Sequence, residues 1–246
     1  MSHTSPNPEN APSRRHFIRS VTTAAAGTAI VLAGCQAAGK EKDQAAGEAE
    51  KVTPGEDLMQ EHGVLKRILL VYGEAIRRLD ANDATADLPP DALRKSAQLV
   101  RSFVEEYHEQ QEEQYLFPRL KKANQLVDLV DVLLEQHRAG RRVTDRVIQL
   151  ATPAGMKDPD QRRSIVTHLR QFIQMYSVHE AREDTVLFPA FRDLLSKQEY
   201  EDLGETFENN EHKHFGADGF ELAVDQVAAI EKSLGIYELA QFTPKI

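Results

Sequence analysis

The sequence predicts an all-α protein: an up-down-up-down four-helix bundle followed by two additional C-terminal helices. Three observations carry this. Apolar residues recur at helical spacing through four long segments, with no strand-like alternation. Gly and Pro gather at segment ends. One pattern also occurs twice: residues 107–120 read YHEQQEEQYLFPRL and 178–191 read VHEAREDTVLFPAF.

The first helix is expected over about 56–79, where Leu58, His62, Leu65, Leu69, Tyr72, Ile76 and Leu79 form a 4-3-4-3 stripe behind Pro54. Residues 80–87 read as a polar loop. Pro89-Pro90 opens the second helix, since Pro is tolerated in a first turn. Its stripe is Leu93, Ala97, Val100, Val104, His108, Glu112 and Tyr115, and Pro118 is expected to kink or end it after Phe117. The third helix, about 125–150, carries Val127, Val130, Leu134, His137, Arg141, Thr144 and Ile148 on one face. Pro153, Gly155 and Pro159 separate it from the fourth, about 160–188. That helix shows Ile165, Leu169, Phe172, Tyr176, His179, Glu183 and Val186, with Pro189 as the counterpart of Pro118. Ser196 and Glu199 have capping-box spacing and open a fifth helix. Gly216 and Gly219 interrupt, and a sixth amphipathic helix covers 220–234.

Four His (62, 108, 137, 179) and two Glu (112, 183) therefore fall on faces that are otherwise apolar. His108 with Glu112, and His179 with Glu183, are i, i+4 pairs that lie one above the other. A lone core His is ordinarily a hydrogen-bonded packing residue. A buried carboxylate is costly unless it is paired or binds metal. The order His, HxxxE, His, HxxxE describes a duplicated helical hairpin, the arrangement by which a bundle holds two metal ions. Imidazole and carboxylate suit Fe, Zn or Mn. The single cysteine, Cys35, excludes a thiolate cluster and an intrachain disulfide framework. The formal net charge of −9 argues against a nucleic-acid partner.

These residues resemble the hemerythrin-like proteins, in the branch named for its His-His-Glu cation-binding motif, over about 58–195. The resemblance implies a non-haem di-iron centre: two Fe ions, one held by His62 and His108, the other by His137 and His179, with Glu112 and Glu183 bridging both. It also implies differences from the oxygen carriers. These have a further His four residues after the helix-three His, where this chain has Arg141. They place the helix-four carboxylate one residue later, at Asp184, which stays in reserve behind Glu183. Arg141 is expected to reach towards the iron of His137 and His179 or to lie under the C-terminal helices, unless it snorkels to solvent. Glu109 and Glu180 read as supports for His rings or as solvated groups. Tyr107 and Tyr176 read as packing residues, either able to hydrogen-bond a bound species, and His168 as a core-edge residue. His212 and His214 diverge on a helix and read as bundle caps, with one of them able to supply an extra ligand.

The N-terminus carries a different message. Residues 13–19, SRRHFIR, resemble a twin-arginine export signal. A short, weakly apolar stretch follows, and LAGC at 32–35 resembles a lipobox. The expected organisation is a signal with lipobox over 1–35, a flexible tether over 36–55, the bundle over 56–195 and a helical extension over 196–246. The expected location is the periplasm or the outer face of a membrane, with a lipid anchor at Cys35. The expected function is a di-iron protein of the cell envelope that binds or senses O2, nitric oxide or peroxide. The alternatives are a di-iron enzyme (peroxidase, nitric oxide reductase or iron-centre repair) and a metal-storage or structural bundle. An electron donor or protein partner is left unnamed.

Overall fold

A computed structural model describes residues 52–80, 88–216 and 218–245. The export signal, the lipobox with Cys35, most of the tether and loop residues 81–87 lie outside the described residues. Among the described residues there is no strand, and no helix is long and apolar enough to cross a membrane.

Six helices follow the predicted order. Helix α1 is Pro54–Asp80, α2 spans 90–122, α3 is Val127–Leu150, α4 spans 159–193, α5 is Lys197–Phe215 and α6 is Gly219–Leu234. A short 3-10 turn, Leu239–Phe242, ends the chain. Helix α1 packs on α2 and α4, and α3 packs on the same two, so the first four helices close a bundle with α1 opposite α3. Helix α6 covers α1 and the start of α2, and α5 lies against α1.

The ends obey local chemistry. Asp158 caps α4 by accepting from the backbone of Asp160 and Gln161, with Pro159 in the first turn. Ser196 and Glu199 make the expected reciprocal capping box on α5. Gly216 and Gly235 take left-handed conformations at the ends of α5 and α6, which a side chain would resist. Asn124 and Leu126 also have positive φ and turn the chain sharply from α2 into α3.

Of the kink or end expected at the two prolines, the end does not occur. Pro118 and Pro189 do not end their helices, which continue to Lys122 and Asp193. The reason is a widened π-type turn just before each. The Phe117 N–H bonds the Glu112 carbonyl five residues back, and Phe188 bonds Glu183 in the same way. A turn of this kind lets the helix pass a residue that has no N–H to give. Helix α2 holds a second widened stretch, Val100–His108, with no counterpart in α4.

The core is split. One apolar cluster includes Leu65, Leu69, Tyr72, Val104, Val147, Leu169 and Tyr176. The other includes Leu58, Leu116, Phe117, Leu133, Leu187 and Phe188. Along every bundle helix the predicted His or Glu falls between the two, so a buried polar layer separates two apolar plugs.

Candidate metal centre

All six predicted side chains meet in that layer. His62, His108, His137, His179, Glu112 and Glu183 are each at most 4% exposed. The His62 and His108 Nε2 atoms face each other at 3.1 Å, and those of His137 and His179 at 3.2 Å. Glu183 Oε2 lies 3.4 Å from His62 Nε2 and 3.1 Å from His179 Nε2. Glu112 lies 3.8 Å from His108 Nε2 through Oε1 and 3.5 Å from His137 Nε2 through Oε2. Each carboxylate therefore touches one His of each pair.

The other face of every ring is held by an acceptor. His62 Nδ1 meets Asp184 at 2.7 Å, His108 Nδ1 meets Glu61 at 2.7 Å, His137 Nδ1 meets Glu113 at 2.9 Å, and His179 Nδ1 meets the Gln136 amide oxygen at 2.8 Å. With acceptors on that side, each neutral ring donates through Nδ1 and keeps its lone pair on Nε2. Four lone pairs then converge in pairs, beside four carboxylate oxygens that receive no well-aligned hydrogen bond. Such a donor set is satisfied by positive charge and by little else. Among the described residues three groups could hold a metal ion: Glu112, His137, His179 and Glu183; His62, His108 and Glu112; and Glu109, Glu113 and His137, whose two acids Arg141 already engages.

Without an ion, protons take over part of that positive charge. Burial opposes the charge on His62, but Asp184 and Glu183 together raise its pKa to about 9. Burial lowers His108, and lowers His137 to about 4. Burial and the neighbouring Glu183 push the Glu112 carboxyl well above its ordinary range. Burial acts on Glu183 in the same sense, but the imidazoles of His179 and His62 overcome it and hold that carboxyl low.

A second ring of residues surrounds these. Arg141 reaches neither the Nε2 cluster nor solvent alone. Its Nη2 pairs with Glu109 Oε2 at 2.6 Å and Glu113 Oε1 at 2.7 Å. The expectation that it faces the ion of His137 and His179 is thus replaced: two acids lie within reach first. Tyr176 donates its hydroxyl to Glu109 Oε1 at 2.7 Å rather than facing the centre. Gly140 makes room for that phenol, since a Cβ there would collide with the hydroxyl. On the opposite side Glu180 pairs with Lys66. Lys66 follows His62 by four residues as Arg141 follows His137, so the cation–acid support is duplicated as well. His168 is half-buried and donates to the Ser164 carbonyl. His212 and His214 are exposed and join none of the cation-capable groups among the described residues.

The His62 contact places Asp184 outside the cluster, where it orients a ring, while Glu183 faces inward. Sequence reasoning missed Glu61, Gln136 and Glu113 as ring holders. Aligning the two repeats contains the signal: an acceptor precedes each first His (Glu61, Gln136), and an acid follows each inward Glu (Glu113, Asp184).

Residues 53–191, more than half of the chain, match the model of the hemerythrin HHE cation-binding domain. The chain belongs to this hemerythrin family. It is also 50% identical over 242 residues to uncharacterized proteins of Mycobacterium tuberculosis and Mycobacterium bovis, covering 96% of this chain and 93% of each relative. No solved structure matches it significantly. As in the hemerythrin family at large, the matched region is a cation-binding helical domain, and here it contains the whole His/Glu layer.

Proposed function

We propose that the His/Glu layer is a non-haem di-iron centre. One Fe would be held by His62 and His108 and the other by His137 and His179, with Glu112 and Glu183 shared between them. The observation that carries this is the convergence of four Nε2 lone pairs on two carboxylates, each within reach of both His pairs. Two shared carboxylates offset the repulsion of two like-charged ions. Two imidazoles and two shared carboxylates leave coordination positions free on each Fe for a small molecule. Iron supplies the redox-active binding of O2, nitric oxide or peroxide. The chain supplies ligands shielded from bulk water and rings held in one tautomer. The reading is a binding or sensing module. A second reading, a di-iron enzyme such as a peroxidase or nitric oxide reductase, is favoured by the buried Tyr176–Glu109–Arg141 network beside His137 and His179.

Metal analysis and optical spectra decide between these. Iron-grown protein should carry two Fe per chain, and its spectrum should change reversibly with O2 or nitric oxide. Rapid peroxide consumption with turnover would favour the enzyme. A single zinc per chain in protein never exposed to chelator would overturn the di-iron reading.

The export signal and lipobox give the second half of the proposal: an envelope protein tethered through a lipid on Cys35. Arg14→Lys with Arg15→Lys should hold the protein in the cytoplasm. Cys35→Ala should release it from the membrane fraction, and persistent membrane binding by that variant would dismiss the lipid anchor.

A further inference from the structure

The two halves of the centre look alike in their inward groups and differ behind them. Behind His62 and His108 stand two acids, Asp184 and Glu61, each 2.7 Å from its ring nitrogen. Behind His137 stands Glu113 at 2.9 Å, and that carboxylate is shared with the Arg141 guanidinium at 2.7 Å. Behind His179 stands the amide of Gln136, which carries no charge. The pseudo-symmetric positions 61 and 136 thus hold a carboxylate in one hairpin and its neutral isostere in the other.

A carboxylate that accepts from Nδ1–H pulls the proton and makes Nε2 a stronger donor to whatever it binds. A charge-assisted hydrogen bond is also about twice as strong as a neutral one. Negative charge near an ion stabilises its more positive state. The cation-bearing arm on the other side differs too. Arg141 is engaged directly with the acid that holds His137, whereas Lys66, 57% exposed, pairs with Glu180, which holds none of the four rings.

We propose that Glu61 and Gln136 make the two metal positions electronically unequal, so that the His62–His108 half favours the more oxidised ion and the His137–His179 half the more reduced one. The inference rests on the di-iron reading above. Glu61 and Gln136 are positioning residues, acting through His108 and His179. The consequence would be a difference in reduction potential between the two positions, set by these two residues, with the His137–His179 half the more easily reduced.

The experiment is a redox titration of the iron-loaded full chain, followed optically and by Mössbauer spectroscopy. The unmodified protein should show two separated one-electron steps, the one-electron-reduced form giving distinct ferric and ferrous signals. Glu61→Gln should raise the lower potential and leave the upper one in place. Gln136→Glu should lower the upper potential and leave the lower one in place. Each substitution should reduce the comproportionation constant on the order of fivefold, since exchanging a charged for a neutral acceptor is worth roughly 1 kcal/mol. The double exchange, which raises the lower potential and lowers the upper one together, should narrow the separation further than either single exchange. Asp184→Asn gives an independent check from the other ring and should also raise the lower potential. If both single variants move the same potential, or Glu61→Gln moves the upper one, the inequality is wrong while the di-iron reading stands. Fewer than two Fe per chain in the unmodified protein would overturn both.

Discussion

Arg141 sits between Glu109 and Glu113, and through Glu113 it braces His137. Glu109 is 1% exposed, and burial already raises its pKa to about 8 despite Arg141 and Tyr176 beside it. Removing the guanidinium leaves a buried acid without its cation. Arg141→Met should therefore destabilise the chelated protein by about 2 kcal/mol, below the range for a fully buried pair because Arg141 is partly exposed. Urea unfolding with chelator present measures this, and an unchanged midpoint would show that the pair is idle. Arg141→Lys keeps the charge but loses the two-pronged donor, so it should recover only part of the loss. Gly140 meets the same network from α3. Gly140→Ala should push the Tyr176 phenol off Glu109 and cost about 2 kcal/mol, as overpacking does. Combined with Tyr176→Phe it should cost less than the sum, because the hydroxyl is the group displaced. Strict additivity would sever Gly140 from Tyr176.

At the scale of elements, the widened turns at Glu112–Leu116 and Glu183–Leu187 begin at the two inward carboxylates. A wider turn advances each residue through a smaller angle, so Glu112 and Glu113, or Glu183 and Asp184, serve adjoining faces: one inward, one behind a ring. Pro118 and Pro189 discourage the turn from closing, since neither offers an N–H to the carbonyl four residues back. Pro118→Ala restores that donor. It should weaken metal retention severalfold in a chelator competition, while shifting stability of the chelated protein by no more than about 1 kcal/mol. Unchanged metal affinity would mean the turn is held by packing alone. These turns also mark where the sequence was legible and where it was not. Apolar periodicity placed all six helices and put His62 and His137 on core-facing stripes, and the HxxxE repeat placed His108, Glu112, His179 and Glu183, because both depend on spacing along one helix. Whether Pro118 and Pro189 kink or end their helices stayed open, since a proline carries the same local signal in either case, and the π turns that decide it have no signal of their own. Glu61, Gln136 and Glu113 were missed because their partners lie on other helices, where only the repeat symmetry speaks. For Arg141 the face was legible, but of its alternatives the reach towards the ion gave way to two acids from α2 that no spacing along α3 could show.

For the molecule as a whole, the polar layer sets opposite pH responses with and without metal. In the chelated protein His62 rises from 6.5 to about 9, so its stabilising contribution is complete below pH 6.5 and is lost as pH rises through about 9. Glu109, raised from 4.5 to about 8, keeps a proton that the unfolded chain releases, so its contribution falls over that window. Glu112, also raised, acts in the same direction. His137 works the other way: lowered from 6.5 to about 4, it costs stability only as pH falls below 6.5. Between pH 6.5 and 9 the balance is set by His62, Glu109 and Glu112, and the urea midpoint of the chelated protein should fall across that range. Metal binding requires neutral imidazoles and ionised carboxylates, so it must expel the protons on His62 and Glu112. Raising pH removes that competition, and metal affinity should rise. Because the ion binds the folded state only, this adds to stability. The metal-loaded protein should thus gain stability over the pH range in which the chelated protein loses it, and loading at pH 7 in weak buffer should release protons. Parallel slopes for the two forms, with no proton release, would mean that the His62 and Glu112 protons are not displaced by the metal, and that the cation lies outside the His/Glu layer.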